Sequence, residues 1–170
     1  NGDPLFMLTG SGVETLVVDG LNTIGTRPDE DTTVPENTPD GLQFDNFAEV
    51  IVRNSIVRNH YHTGIRAVRV GVFKAYGNNV SQMGYGGILW HSTGEADVFN
   101  NHVSDIGCLF DSHGYGLGAA TTFPSRDGGP NGLSRIHSNK VYRCKRRSLD
   151  VHCGLVNEIY DNYVEGFGRH

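Results

Sequence analysis

The chain of 170 residues contains no apolar run approaching the roughly 18 residues that a membrane-spanning helix needs. No signal peptide is visible within this segment, which leaves its address unreadable. Cysteine is scarce: Cys108, Cys144 and Cys153 are an odd number without CxxC spacing, which excludes a sequence-readable zinc set and predicts buried or free thiols. An excess of cations is missing too. Fourteen Lys and Arg against nineteen Asp and Glu give a formal charge of −5, which excludes broad electrostatic binding to nucleic acid or to an anionic membrane. Long 3.6-residue periodicity is absent, and the spacing leaves no room for the crossover helices of an α/β fold. The chain starts at Asn1 without Met and stops at His170 in mid-pattern, so it reads as a segment of a longer protein.

What is present is glycine, asparagine and β-branched residues in short alternating runs, the composition of many brief strands joined by turns. An Asn followed two residues later by an aliphatic recurs at Asn54, Asn78, Asn101, Asn139 and Asn162, at intervals of 24, 23, 38 and 23 residues. One period of about 23 therefore carries a single insertion of about 15. A second element precedes four of these asparagines: Gly41-Leu-Gln-Phe, Gly64-Ile-Arg-Ala, Gly87-Ile-Leu-Trp and Ser148-Leu-Asp-Val. Two short strands per period, separated by turns, make one coil, and coils that cannot bury their apolar faces alone must stack. The sequence thus predicts an all-β, right-handed parallel β-helix of five to six coils over residues 1–170, with loop insertions near 26–40 and 102–138. Stacking turns the asparagines into an internal amide ladder. It places Leu42, Ile65, Ile88 and Leu149 in the core with Phe44, Ala67, Trp90 and Val151. His137 is expected to be a core histidine in the column of Val52, Tyr76, Phe99 and Tyr160.

These residues, with Gly41 to Ile56 and Asn157 to Val164, resemble the right-handed parallel β-helix proteins of the pectin-lyase type, and within them the phage tailspike and appendage depolymerases. The resemblance implies a polysaccharide substrate, an extracellular or virion-associated setting and a homotrimer of the full-length protein. It does not choose among lyases, hydrolases and non-catalytic spikes.

Alternation then selects candidate site residues. With Leu149 and Val151 inward, Asp150 and His152 point outward on one strand, and coil equivalence adds His91, Arg66 and Asp45 to the same outer face. The intervening coil has two registers. One starts at Gly107 and puts Asp111 in the column; the other starts at Gly116 and leaves Asp111 and His113 in a loop over the face. Three chemistries fit. Glycoside hydrolysis uses paired carboxylates, here Asp111 and Asp150 with Glu95 in reserve. Elimination from a uronic acid uses His91 or His152 as base and Arg66, Arg146 or Arg147 as cation. The repeated Asp-x-His at Asp111 and Asp150 also permits a metal-dependent phosphodiesterase. Catalytic candidates are thus Asp150, His152, His91 and Asp111, and substrate-binding candidates are Arg66, His113, Tyr115, Arg146 and Arg147. Neither a cofactor nor a resident metal is expected. His60 and His62 are read as turn residues without chemistry.

Overall fold

The computed structural model describes residues 7–25, 40–107, 113–119, 131–151 and 154–166. Eighteen strands form three sheets of six, every pairing parallel, as a right-handed β-helix. The first coil is β1 (Met7–Thr9), β2 (Thr15–Asp19) and β3 (Asn22–Ile24); the second is β4 (Leu42–Asp45), β5 (Glu49–Arg53) and β6 (Ile56–Arg58). The third is β7 (Thr63–Val68), β8 (Val72–Tyr76) and β9 (Asn79–Met83), and the fourth is β10 (Gly86–His91), β11 (Glu95–Phe99) and β12 (His102–Ile106). The fifth is β13 (Tyr115–Ala119), β14 (Asn131–His137) and β15 (Lys140–Cys144), and the sixth is β16 (Arg147–Val151), β17 (Gly154–Tyr160) and β18 (Tyr163–Glu165). Each coil therefore has three strands rather than the expected two. The described residues contain no helix, and so none long and apolar enough to cross a membrane.

The extra strand follows from three corners per coil, each marked by a column of left-handed residues. Gly20, Asn54, Gly77, Asn100, Ser138 and Asp161 form one such column, with φ between 50° and 70°. Asn46, Arg69 and Ser92 begin a second, and Asn59, Gln82, Asp105 and Arg143 form a third. Asn and Asp tolerate this region better than other residues with a Cβ, which accounts for their frequency at corners.

Inside, the core is a stack of aliphatic rows. Leu42, Ile65, Ile88 and Leu117 are fully buried, as are Phe44, Ala67, Trp90 and Ala119, while Leu149 and Val151 pack against them at the sixth coil. The expected inward rows are thus observed. Glycines at Gly41, Gly64, Gly87 and Gly116 start these rows because the neighbouring coil lies too close for a side chain. A Cβ on Gly87 would meet the Gly116 carbonyl oxygen at 2.4 Å and a Val103 methyl at 2.6 Å.

The amide ladder is present, with one correction. Asn78 Nδ2 donates to Asn101 Oδ1 (3.0 Å), Asn101 Nδ2 to Asn139 Oδ1 (3.0 Å) and Asn139 Nδ2 to Asn162 Oδ1 (2.9 Å). Each acceptor oxygen also takes the backbone N–H of the preceding ladder residue. Asn54 is not a member. Ser55 occupies its place and donates its N–H to Asn78 Oδ1, whereas Asn54 sits one residue earlier, at the left-handed corner, and reaches Asp19.

His137 is also corrected. Its row is Arg53, Tyr76, Phe99 and Tyr160 on the outer face, because Val52 belongs to the inward row with Ala75, Val98 and Ile136. The His137 ring is stacked between Phe99 (5.0 Å) and Tyr160 (4.8 Å), and its Nε2 lies 3.1 Å from Asp97. Cys144 is a buried free thiol, as expected, and burial pushes its pKa up to about 12; Cys108 and Cys153 lie outside the described residues.

A candidate active site at the leading edge of the first sheet

The sheet built from β1, β4, β7, β10, β13 and β16 carries the candidate residues. Leu117 stacks between Ile88 and Leu149, and Gly118 between Leu89 and Asp150. This fixes the register that begins near Gly116 and overturns the one that begins at Gly107, which puts Asp111 in the column of His91 and His152; Gly118 fills the column position between Leu89 and Asp150. Close packing selects glycine there, since a Cβ on Gly118 would meet the Asp150 carbonyl oxygen at 2.4 Å. Asp111 and His152 lie outside the described residues.

The outer face is less open than alternation implies. Asp45 and Asp150 are each 8% exposed, His91 is 5% and Leu89 is 2%. Alternation sets which way a side chain points, and says nothing about what covers it. His91 ends β10 in the row of Val68 and Asp45, a different row from Asp150 and two coils away, about 10 Å along the axis. The register therefore separates His91 from Asp150 rather than joining them.

The other candidates converge at the end of this sheet where its strands begin. Tyr85, immediately before β10, is the centre. Its ring stacks on His62 (centroids 4.3 Å, 15°), lies against His113 (4.7 Å) and tilts toward Tyr115 (5.5 Å). The Arg146 guanidinium carbon is 5.5 Å from the Tyr115 ring centre, and its Nη1 donates to the Tyr115 hydroxyl at 2.5 Å. Arg147 Nη1 donates to Asp150 Oδ1 at 2.8 Å. Burial raises the Tyr85 pKa, Tyr115 and Asp150 add to the rise, and Arg66 and Arg146 oppose it, so all four charged or phenolic neighbours act on this hydroxyl. The His113 imidazole is held below its ordinary value, chiefly by burial and then by the charges of Arg146 and His62.

Beneath this wall lies a pair absent from the expected set. Asp40, 2% exposed, accepts from the Thr63 N–H (2.9 Å) and from His62 Nδ1 (2.7 Å) through Oδ1, and its Oδ2 faces Arg66 Nη1 at 3.5 Å. Burial opposes its ionisation, but the His62 hydrogen bond, the His62 and Arg66 charges and the Thr63 amide together hold its carboxyl below the ordinary range. Asp40, His62 and Tyr85 were missed by the sequence reading, which followed outward positions within strands. For His62 and Tyr85 the signal was the residue two before the glycine position of each coil, His62 before Gly64, Tyr85 before Gly87 and Arg146 before Ser148, whereas Asp40 stands one before Gly41 and outside that pattern.

Among the described residues no three His, Cys, Asp or Glu side chains are grouped closely enough to hold a metal ion. Chemically the cluster offers imidazoles, phenols and guanidiniums around an ionised, buried carboxylate. No family model matches the chain, no curated protein matches it, and no solved structure matches it.

Proposed function

We propose that this chain is the polysaccharide-processing part of a β-helix depolymerase of the pectin-lyase type, acting at the leading edge of its first sheet. The observation that carries this reading is the convergence of Arg66, Tyr85, His113, Tyr115, Arg146 and Asp150 around one phenol ring on a rigid solenoid. Titratable groups gathered with aromatic faces suit a glycan: rings stack on sugar faces, guanidiniums bind anionic substituents, and imidazoles move protons. A fixed coil stack supplies the positioning such chemistry needs. An extracellular or virion-borne, trimeric full-length protein accords with this reading.

The test is incubation of the protein with a panel of bacterial surface and cell-wall glycans, followed by chromatographic sizing of the products. Chain shortening by the parental protein is expected, with Arg146→Ala lowering kcat/KM about tenfold or more through loss of the Tyr115 contact and of a substrate-facing cation. Retention of a glycan without shortening would identify a binding module, and neither retention nor shortening would remove the reading.

A further inference from the structure

We propose that His60 is an acid-sensitive pin between the first two coils: neutral, it holds β3 against β6, and its protonation releases the first coil before the others open. The device is independent of the proposed glycan chemistry.

His60 reads in the sequence as a turn residue, yet it is only 3% exposed. Three residue pairs join β6 to β9, the left-handed corners Asn59 and Gln82 follow them, and the Gly84 amide donates to the His60 carbonyl at 3.1 Å. His60 therefore heads the inward column that continues through Met83, Ile106 and Cys144. Those three are sealed in the core. An imidazole is the polar exception in that column.

The ring is held from both coils. Its Nε2 lies 3.3 Å from Thr23 Oγ1 on β3, and Thr23 is itself buried. Gly25 follows β3 and Gly41 precedes β4, and both must be glycine to leave the ring its space. A Cβ on Gly25 would meet His60 Nδ1 at 2.6 Å, and one on Gly41 would meet Cδ2 at 3.0 Å. Around this contact the coils are tied by the Gly25 amide, which donates to the Arg58 carbonyl at 2.9 Å, and by the Ile56 amide, which donates to the Leu21 carbonyl at 2.7 Å.

Such an enclosure suits a neutral ring and penalises a charged one. From β3 it meets the Thr23 hydroxyl and backbone, from the starts of β4 and β6 glycine and valine, and along its column a thioether. Among the described residues Asp40 is the titratable group whose charge reaches it and favours its proton, as the Thr23 backbone also does, but burial outweighs both. Asp40 is already engaged by His62 and Arg66. Once the first coil lifts away, the ring returns to the ordinary histidine value of about 6.5. The stability it lends is complete above that value and is lost as pH falls through its lower folded value, so protons favour the opened state. The first coil yields first because it is lightly held. Strands β1 and β3 have three residues each, and among the described residues this coil pairs on one side only.

Amide hydrogen exchange on the full chain, read residue by residue and corrected for intrinsic rates, tests the pin. The opening constant at Gly25 and Ile56 should exceed that at His102 and Lys140, whose amides bond to the Asn78 and Asn101 carbonyls between inner coils. From about pH 7.5 to about pH 5.5 it should rise about five- to tenfold at Gly25 and Ile56. His60→Met, which extends the Met83 column with an uncharged side chain, should abolish that rise, and His113→Gln should leave it in place. Four amides that open together, no rise in the parental protein, or a rise that persists in His60→Met overturns the pin. Should His60→Met fail to fold, NMR titration of labelled histidine in the parental protein decides. A His60 ring that protonates at about 6.5 while Gly25 and Ile56 keep their protection overturns the proposal, and one that stays neutral below that value until those amides open supports it.

Discussion

Asp150 shows what one residue's position in a strand does and does not reveal. Its direction was readable because Leu149 and Val151 are apolar neighbours that must face the core, and both pack there. Its burial and its Arg147 partner were not readable, since both depend on what crosses the face and on how a long guanidinium folds back along its own strand. Asp150→Asn keeps the shape while removing the charge that holds Arg147 and that bears on Tyr85. If this carboxylate takes part in the proposed chemistry, turnover falls about 10²-fold or more with the coil fold intact, as judged by unchanged circular dichroism. A parental rate confines Asp150 to holding Arg147. Asp40 and His62 escaped notice for the converse reason: they lie at the corner before a strand, where alternation makes no statement and only comparison between coils does.

The corner is also the element whose chemistry the sequence half disclosed. Asparagine recurs there for two unrelated causes: it tolerates the left-handed conformation, and its amide bridges coils. At Asn100 and Asn101 the corner and the buried ladder fall on adjacent residues, and Asn54 holds the corner without joining that ladder, its amide reaching Asp19 at the surface. A search for Asn alone therefore slipped by one residue at the second coil, giving an interval of 24 where the Ser55 to Asn78 step is 23. The roles separate by mutation. Asn101→Leu strands the Ala75 carbonyl and the Asn78 backbone N–H and removes one of the two bonds of the Asn78 amide, all of them buried. It should cost roughly 1 to 3 kcal/mol in denaturant unfolding. Asn54→Gly keeps the left-handed corner and loses one exposed contact to Asp19, so a change of only about 0.5 kcal/mol or less is expected. Equal costs would show that the ladder bonds add nothing beyond corner geometry.

For the whole molecule, the period of about 23 residues was enough to specify a stacked parallel solenoid, because repetition at that length leaves each coil's apolar face to be covered by the next. The number of sheets was not evident, because a corner that turns on a single left-handed residue interrupts the alternation too briefly to separate two strands by eye. Folding also places several titratable groups in settings that shift them in the same direction. Burial lowers the pKa of His60 and, with Arg146 and His62, that of His113, while the net effect at Asp40 is also downward. For each of these groups the unfolded chain binds its proton at a higher pH than the folded one, so acidification favours unfolding. The two imidazoles supply stability that is present above the ordinary histidine value, about 6.5, and is lost as pH falls through their lower folded values. Asp40 acts later, supplying stability present above its unfolded value near 3.9 and lost as pH falls further. The melting temperature should therefore drop from about pH 8 to about pH 5.5 and drop again below about pH 4. His113→Gln, which removes a titrating group, should shrink the first drop and leave the second in place. A melting temperature that rises on going from about pH 8 to about pH 5.5 would contradict the sign assigned to both histidines.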